Sequence, residues 1–234
     1  MPFYYFYDPT YILVIPALIL AIYAQAKVQG TFNRYLRVRS RSGQTGGQVA
    51  QSILSRNGAE DVTVEGTNIP LGDHFDPRAK TVRLSPQVYG GSSIASLAVA
   101  AHESGHAMQD KQGYAPLAFR QAILPVANFG SRLALPLFIL GMLMGYGDTG
   151  QFLMSLGIWL FAGAVAFQLI TLPVEFNASR RALTLLADGG HVTQDEVPAV
   201  RAVLQAAALT YVAASAVAVT QLLRLLVLRG SRRD

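Results

Sequence analysis

The sequence predicts a mainly α integral membrane protein with about four transmembrane helices, three being the alternative, and a small α+β region on the cytoplasmic side. Charged residues make up only 14% of the 234 residues, and apolar residues make up 51%. A soluble chain usually has about 25% charged residues. The apolar residues gather in four stretches separated by polar segments, and a stretch of about 20 apolar residues can cross a bilayer as a helix.

The formal net charge of +5 at pH 7 is explained by membrane topology. The basic residues lie beside the apolar stretches, which is typical of cytoplasmic flanks of membrane spans. We therefore predict a lipid bilayer as a partner and no nucleic acid. The chain has no cysteine, which excludes disulfide bonds and thiolate metal ligands.

Residues 1–30 are predicted to form an N-terminal transmembrane anchor. Its apolar part runs roughly from Tyr11 to Ala26, and no Lys or Arg precedes it, whereas a signal peptide begins with a basic segment. Four arginines follow between residues 34 and 41, so the N-terminus is expected outside the cell. The aromatic residues 4–7 would then lie at the outer membrane–water interface.

Residues 31–131 contain the one long polar region and are predicted to form the cytoplasmic α+β region. Apolar residues at helical spacing predict a helix over Gly47–Asn57. Ser92 or Ser93 is expected to cap a second helix that ends at about Asp110. Alternating apolar residues predict strands over Asp61–Glu65 and Thr81–Leu84, with a turn at Asp76-Pro77 between them.

The remaining residues divide into three predicted segments. Residues 132–173 form a transmembrane hairpin that starts beyond Arg132, because an arginine at mid-bilayer costs about 3 kcal/mol or more. Residues 174–200 form a cytoplasmic segment whose helix is started by Pro173. Residues 201–234 form an apolar helix and a basic tail. The apolar helix, 203–228, is expected to span the membrane because of its length and apolarity. The alternative, which the tail arginines favour, is a helix packed on the cytoplasmic region.

The motif His102-Glu103-Ser104-Gly105-His106 lies on the second predicted helix of the polar region. Histidines four residues apart project from one helical face, so both can bind one Zn²⁺ per chain. Glu103 is placed beside the metal as a general base that takes a proton from water. Only four histidines occur in the chain, and two are in this motif. The alternative is an ordinary amphipathic helix with two hydrogen-bonded histidines.

A catalytic zinc requires a third protein ligand and an open position. Glu175 is favoured because it follows the third predicted span on the cytoplasmic side. The alternative is a glutamate favoured by the helix macrodipole in a first turn. Asp188 is interpreted as part of a helix stop, and His74 as a turn residue near the cleft. The full set of candidates is Glu175, Asp188, His191, His74, Asp73 and Asp76.

The predicted strand Thr81–Leu84 precedes the motif helix. In zinc peptidases of this general type, an extended substrate adds to the exposed edge of such a strand. Thr81, Val82, Arg83 and Leu84 are therefore candidate substrate-binding residues. A purely structural strand is the alternative.

Several segments around the motif carry a family resemblance: DHFDP (73–77), VRLS (82–85), AAHESGHAMQ (100–109), LPVEFNASRRA (172–182) and ALTYVAA (208–214). With them the sequence resembles the bacterial YugP-like neutral zinc metallopeptidases, over nearly its whole length. That family looks related to the membrane gluzincins, which include the heat-shock peptidase of bacterial inner membranes. The resemblance implies a zincin-like catalytic region.

The same resemblance implies that His102, His106 and Glu175 bind zinc and that Glu103 is the general base. In those relatives a carboxylate commonly lies four residues after the ligand glutamate. Here Ser179 has that position, and a hydroxyl orients a ligand histidine more weakly than a carboxylate.

The function expected is a zinc-dependent metalloendopeptidase of the bacterial inner membrane. It would hydrolyse peptide bonds of membrane-associated or misfolded proteins at the cytoplasmic face. One alternative is a non-catalytic membrane scaffold or chaperone stabilised by zinc. Another is an intramembrane zinc protease, which the short apolar run of about eight residues before the motif disfavours.

Overall fold

Helices dominate the computed structural model, which describes residues 9–145 and 147–230. A short 3₁₀ helix over Pro9–Leu13 precedes the first α-helix. The described elements are α1 (Ile15–Leu36), α2 (Gly46–Arg56), β1 (Thr63–Gly66), β2 (His74–Asp76), β3 (Thr81–Leu84), α3 (Pro86–Tyr89), α4 (Ile94–Lys111), α5 (Ala115–Leu143), α6 (Asp148–Asp188) and α7 (Val197–Gly230).

The chain divides into two compact units. The first, here called the helical unit, comprises Met1–Tyr23, Phe119–Thr171 and Tyr211–Asp234. The second, here called the α+β unit, comprises Ala24–Ala118 and Leu172–Thr210. The unit boundaries fall inside the four long helices α1, α5, α6 and α7, so each of these helices has residues in both units.

The α+β unit contains a three-stranded sheet in the order β1-β3-β2. Strand β1 pairs in parallel with β3, and β2 pairs with β3 in antiparallel fashion. The predicted strand Thr81–Leu84 is confirmed as β3, while β1 begins two residues later than predicted. The structure adds β2, so the prediction of a turn at His74 is wrong. A strand of three residues is too short for alternation to reveal it.

The helices of the α+β unit enclose its core. Helix α2 begins after Thr45, which forms a capping box with Gln48, and its apolar residues Val49, Ile53 and Leu54 are buried. Ser93 caps α4 through a hydrogen bond from the Ser96 backbone nitrogen, as predicted for this position. Nearly all of α4 is buried, which explains its small, uncharged side chains, because few charges are tolerated in a core.

Three described helices are long and apolar enough to cross a membrane: α5, α6 and α7. The chain is therefore mostly helical with three candidate spans, and the apolar stretch 203–228 lies within one of them. Helix α1 is not among the three, so a fourth span stays a prediction. The aromatic residues 4–7 and the end of the basic tail lie outside the described residues.

One helix start expected from the sequence is wrong: Pro173 lies inside α6 and starts no new helix. Arg132 lies inside the single helix α5, and the start of a membrane span just beyond this arginine stays a prediction. A proline removes only one backbone donor, and long helices packed on neighbours can absorb that loss. Glu175 consequently has no place in a first turn, so the helix-dipole explanation for it is excluded.

Candidate metal centre

Helix α4 carries both motif histidines on one face. Their ring centroids lie 4.8 Å apart and the ring planes are nearly perpendicular, at 85°. His106 is buried and His102 is half-buried. The spacing of four residues therefore places both imidazoles on one face of α4, where the two Nε2 atoms can bind the same metal ion.

Glu175 reaches these histidines from α6. Its Oε2 atom lies 3.2 Å from His102 Nε2 and 3.5 Å from His106 Nε2, and the side chain is 2% exposed. In the described part of the chain, these three residues form a group whose ligand atoms all lie within 4.8 Å of one another.

The three donors fit a zinc ion. Atoms that bind a tetrahedral ion at zinc–ligand distances lie about 3.4 Å apart. The distances from Glu175 Oε2 to the two Nε2 atoms, 3.2 and 3.5 Å, lie on either side of that value. Two imidazoles and one carboxylate are a donor set of catalytic zinc sites and leave the fourth position for water or substrate. These residues could therefore hold the metal.

Charges in the site favour a cation. Burial alone raises the pKa of the Glu175 carboxyl, but hydrogen bonds and positive charge from His102 and His106 outweigh burial and hold that pKa well below its usual range. Burial likewise lowers the pKa of His106, yet Glu175 and Glu103 outweigh it and raise the pKa above its ordinary value. The buried carboxylates thus bind positive charge, which a metal ion can supply in place of a proton.

Glu103 lies beside the metal ligands and outside the group that they form. The residue is 9% exposed, and its Oε2 atom accepts a hydrogen bond of 3.1 Å from the backbone nitrogen of Phe75. Since Phe75 belongs to β2, one of the two edge strands of the sheet, Glu103 lies against the side of β2 that faces away from β3. A carboxylate held here can exchange protons with a molecule that reaches the site.

Each histidine is also contacted through its Nδ1 atom. Ser179 Oγ lies 3.2 Å from His102 Nδ1, and Gln109 Oε1 lies 3.0 Å from His106 Nδ1. Ser179 therefore contacts one of the two histidines, and its role in orienting that ligand stays a prediction. Gln109 was missed by sequence reasoning, although its place three residues after His106, on the helix face that carries both histidines, was a usable signal.

Close approach of α4 and α6 brings the ligands together. A Cβ atom built on Gly105, inside the motif, would lie 2.7 Å from the backbone oxygen of Ala178 on α6. That distance is shorter than any normal contact, so a side chain at this position would separate the helices. The glycine inside the motif thus permits the approach that places Glu175 against the histidines.

The other candidate ligands lie in different surroundings. Asp188 and His191 line a separate cavity of about 330 Å³, where His191 Nδ1 contacts Gln44 Oε1 at 2.7 Å. Asp73 accepts two hydrogen bonds from Ser85. His74 and Asp76 lie on β2, where His74 Nδ1 contacts the Gly72 oxygen and Asp76 pairs with Arg83. None of these residues belongs to the group around Glu175.

The exposed edge predicted for Thr81–Leu84 is absent. Strand β3 is the central strand, with β1 on one side and β2 on the other. The prediction of a free edge there is therefore wrong, because the pattern of one strand does not reveal how many neighbours that strand has. The edge beside Glu103 belongs to β2.

Comparisons with known proteins agree with this donor set. A family model described as "Putative neutral zinc metallopeptidase" matches residues 10–230. A relative from Bacillus subtilis (strain 168), "Putative membrane protease YugP", is 48% identical over 222 residues, which cover 95% of this chain and 97% of that protein. No solved structure matches the chain. The chain belongs to the family of neutral zinc metallopeptidases that this model describes.

Proposed function

We propose that this protein is a membrane-embedded, zinc-dependent metalloendopeptidase of the gluzincin type. Its substrates would be membrane-associated or misfolded proteins, cleaved at the cytoplasmic face of the bacterial inner membrane. The observation that carries the proposal is the convergence of His102, His106 and Glu175 next to the carboxylate of Glu103. Zinc peptidase chemistry requires two imidazoles and a carboxylate that bind the metal, and a second carboxylate nearby that does not bind it.

Glu103 has the role of general base and then general acid. When bound, a zinc ion supplies a Lewis acid that polarises the peptide carbonyl and makes water nucleophilic near neutral pH. Glu103 takes a proton from the attacking water and returns it to the departing amine. The hydrogen bond from the Phe75 backbone nitrogen holds the Glu103 carboxylate at the edge of the site while it does so.

The outer edge of β2 is the proposed docking edge for an extended substrate. Peptides add to free sheet edges through main-chain hydrogen bonds, and among the described strands β2 pairs only with β3. The Phe75 nitrogen already donates to Glu103, so a peptide along this edge would pair with other backbone groups and would pass beside the general base. We therefore transfer the substrate-binding role from Thr81–Leu84 to His74–Asp76.

The decisive experiment replaces Glu103 by glutamine in the purified full-length protein in detergent or nanodiscs. Glu103→Gln keeps the size of the side chain but removes the base, so we expect peptide hydrolysis to fall by about 100-fold or more with zinc content unchanged. The matched control is Glu60→Gln, an exposed glutamate outside the site, which retains full activity.

Two outcomes would overturn the proposal. One is a wild-type protein without stoichiometric zinc after purification without chelators. The other is hydrolysis by Glu103→Gln at the wild-type rate. If cells depend on the protein and Glu103→Gln restores growth while His102→Ala does not, the protein acts as a zinc-stabilised scaffold instead.

A further inference from the structure

Gln109 occupies a fully buried position between the two helices that carry the metal ligands. It is 0% exposed. Its Oε1 atom lies 3.0 Å from His106 Nδ1, and its Nε2 atom donates to the Val174 backbone oxygen at 2.8 Å and to Asn177 Oδ1 at 2.9 Å. Every polar atom of the amide therefore has a partner.

The orientation of this amide is determined by its neighbours. A backbone carbonyl only accepts hydrogen bonds, so the amide nitrogen must face Val174. Asn177 Oδ1 also accepts a hydrogen bond of 2.7 Å from Arg181 Nε. Because arginine only donates, the atom that Asn177 presents to Gln109 must be oxygen. Both neighbours thus require the amide oxygen of Gln109 to face His106.

The amide orientation determines the protonation pattern of His106. An amide oxygen only accepts, so Nδ1 of His106 must carry the hydrogen in this contact. In the neutral ring, the lone pair then lies on Nε2, and that nitrogen points to Glu175 Oε2 at 3.5 Å. A histidine with this tautomer is prepared to bind a metal through Nε2.

We propose that Gln109 is a positioning residue that sets the metal-binding tautomer of His106 and joins the second histidine to the helix of the third ligand. Val174 and Asn177 stand on either side of Glu175 in α6, so the same amide fixes α6 beside α4 at the metal centre. The inference rests on the proposed zinc site and adds a residue to it that touches neither metal nor substrate.

Gln109→Met tests the proposal, because methionine is similar in size but offers no hydrogen-bonding amide. Loss of a residue that orients a metal-binding histidine weakens metal affinity by about 10–100-fold, and we expect a rise of that size in the zinc dissociation constant. The constant is measured by competition with a chromogenic chelator. Gln51→Met, at an exposed position of α2 outside this hydrogen-bond network, is the control and keeps wild-type affinity.

A second measurement addresses the possibility that Gln109→Met folds poorly. Nitrogen-labelled histidine in the wild-type protein, loaded with an NMR-active metal, reports which ring nitrogen binds the metal. We expect coupling to Nε2 of His106 and a slowly exchanging hydrogen on Nδ1. Metal bound through Nδ1, or an unchanged zinc dissociation constant in Gln109→Met, would overturn the proposal. A wild-type protein that binds no metal would instead refute the proposed function.

Discussion

Both histidines of the metal centre are contacted at Nδ1 by neutral side chains. Ser179 contacts His102 and Gln109 contacts His106, where many zinc sites use a carboxylate or a backbone carbonyl. A neutral acceptor polarises the Nδ1–H bond less than a carboxylate does, so it increases the electron density of the imidazole ring less. The orientation of the ligands is thus preserved, while their basicity is raised less than a carboxylate would raise it.

Ser179 provides a direct test of this arrangement. We expect Ser179→Ala to raise the zinc dissociation constant about tenfold, since His102 loses the acceptor for its Nδ1 hydrogen. Ser179→Asp should bind zinc at least as tightly as the wild type, because a carboxylate is the stronger acceptor. Equilibrium dialysis with zinc analysis measures both constants. Ser55→Ala, at an exposed serine of α2, is the control; equal affinities for Ser179→Ala and Ser55→Ala would contradict the assigned role.

The residues differ in how far the sequence alone predicts them. The prediction of His102, Glu103 and His106 follows from their spacing on one helix. The prediction of Glu175 depended on its position after an apolar stretch and on the family resemblance. Gln109 could not be assigned, because its meaning depends on Val174 and Asn177, more than 60 residues away. A glutamine on a buried helix predicts a hydrogen bond but not its partner.

Among the elements, α4 and α6 determine the site. The helix over α4 was predicted with its cap, whereas α6 was expected to be interrupted at Pro173. The proline instead lies inside a helix of 41 residues, so the segment with Glu175 continues the apolar segment before it. Strand β2 was not predicted either, and its pairing with β3 moved the free edge away from Thr81–Leu84. A proline that a packed helix tolerates and a strand too short to show alternation account for these two differences.

Gly105 tests the packing of these two helices. An added methyl group favours a helix by about 1 kcal/mol, but at Gly105 it would meet the Ala178 backbone oxygen at 2.7 Å. Forcing packed helices apart costs about 1–3 kcal/mol and withdraws Glu175 from the histidines. We therefore expect Gly105→Ala to lower the melting temperature and to abolish tight zinc binding.

The matched control for this variant is Gly30→Ala. Gly30 is also inside a helix, α1, and a Cβ atom there would meet nothing within 4 Å. Gly30→Ala should increase the free energy of unfolding by up to about 1 kcal/mol and leave the zinc dissociation constant unchanged. A Gly105→Ala protein with wild-type zinc affinity would show that the close approach of α4 and α6 is not required.

At the scale of the whole molecule, contacts inside the helical unit bear on membrane topology. Leu225 near the end of α7 packs with Phe138 near the end of α5 and Met154 near the start of α6. Arg224 donates to Thr10 Oγ1 at 3.1 Å, and its guanidinium lies 3.7 Å from the centre of the Tyr11 ring. The described N-terminal residues, the turn between α5 and α6, and the end of α7 therefore lie at one end of this unit.

We therefore predict that the N-terminal segment, the turn between α5 and α6, and the end of α7 are exposed on the same side of the membrane. If α7 spans, its basic end lies with the N-terminal segment on the outside, against the usual bias of basic residues towards the cytoplasm. The contact of Arg224 with an aromatic ring and a hydroxyl group offsets part of the cost of holding that arginine near the membrane. The bias of basic residues towards the cytoplasm is a sum over many exposed residues, so the contacts of the single residue Arg224 can act against it.

Cysteine labelling measures this directly, because the chain contains no cysteine of its own. Single variants Pro9→Cys, Gly147→Cys and Gly230→Cys should all react with a membrane-impermeant maleimide in intact cells. Ser55→Cys, in the α+β unit, should react only after permeabilisation if that unit is cytoplasmic. Labelling of Gly230→Cys only after permeabilisation, with Pro9→Cys labelled in intact cells, would show that α7 does not span. The apolar helix would then pack on the cytoplasmic region, which the bias of its tail arginines favours.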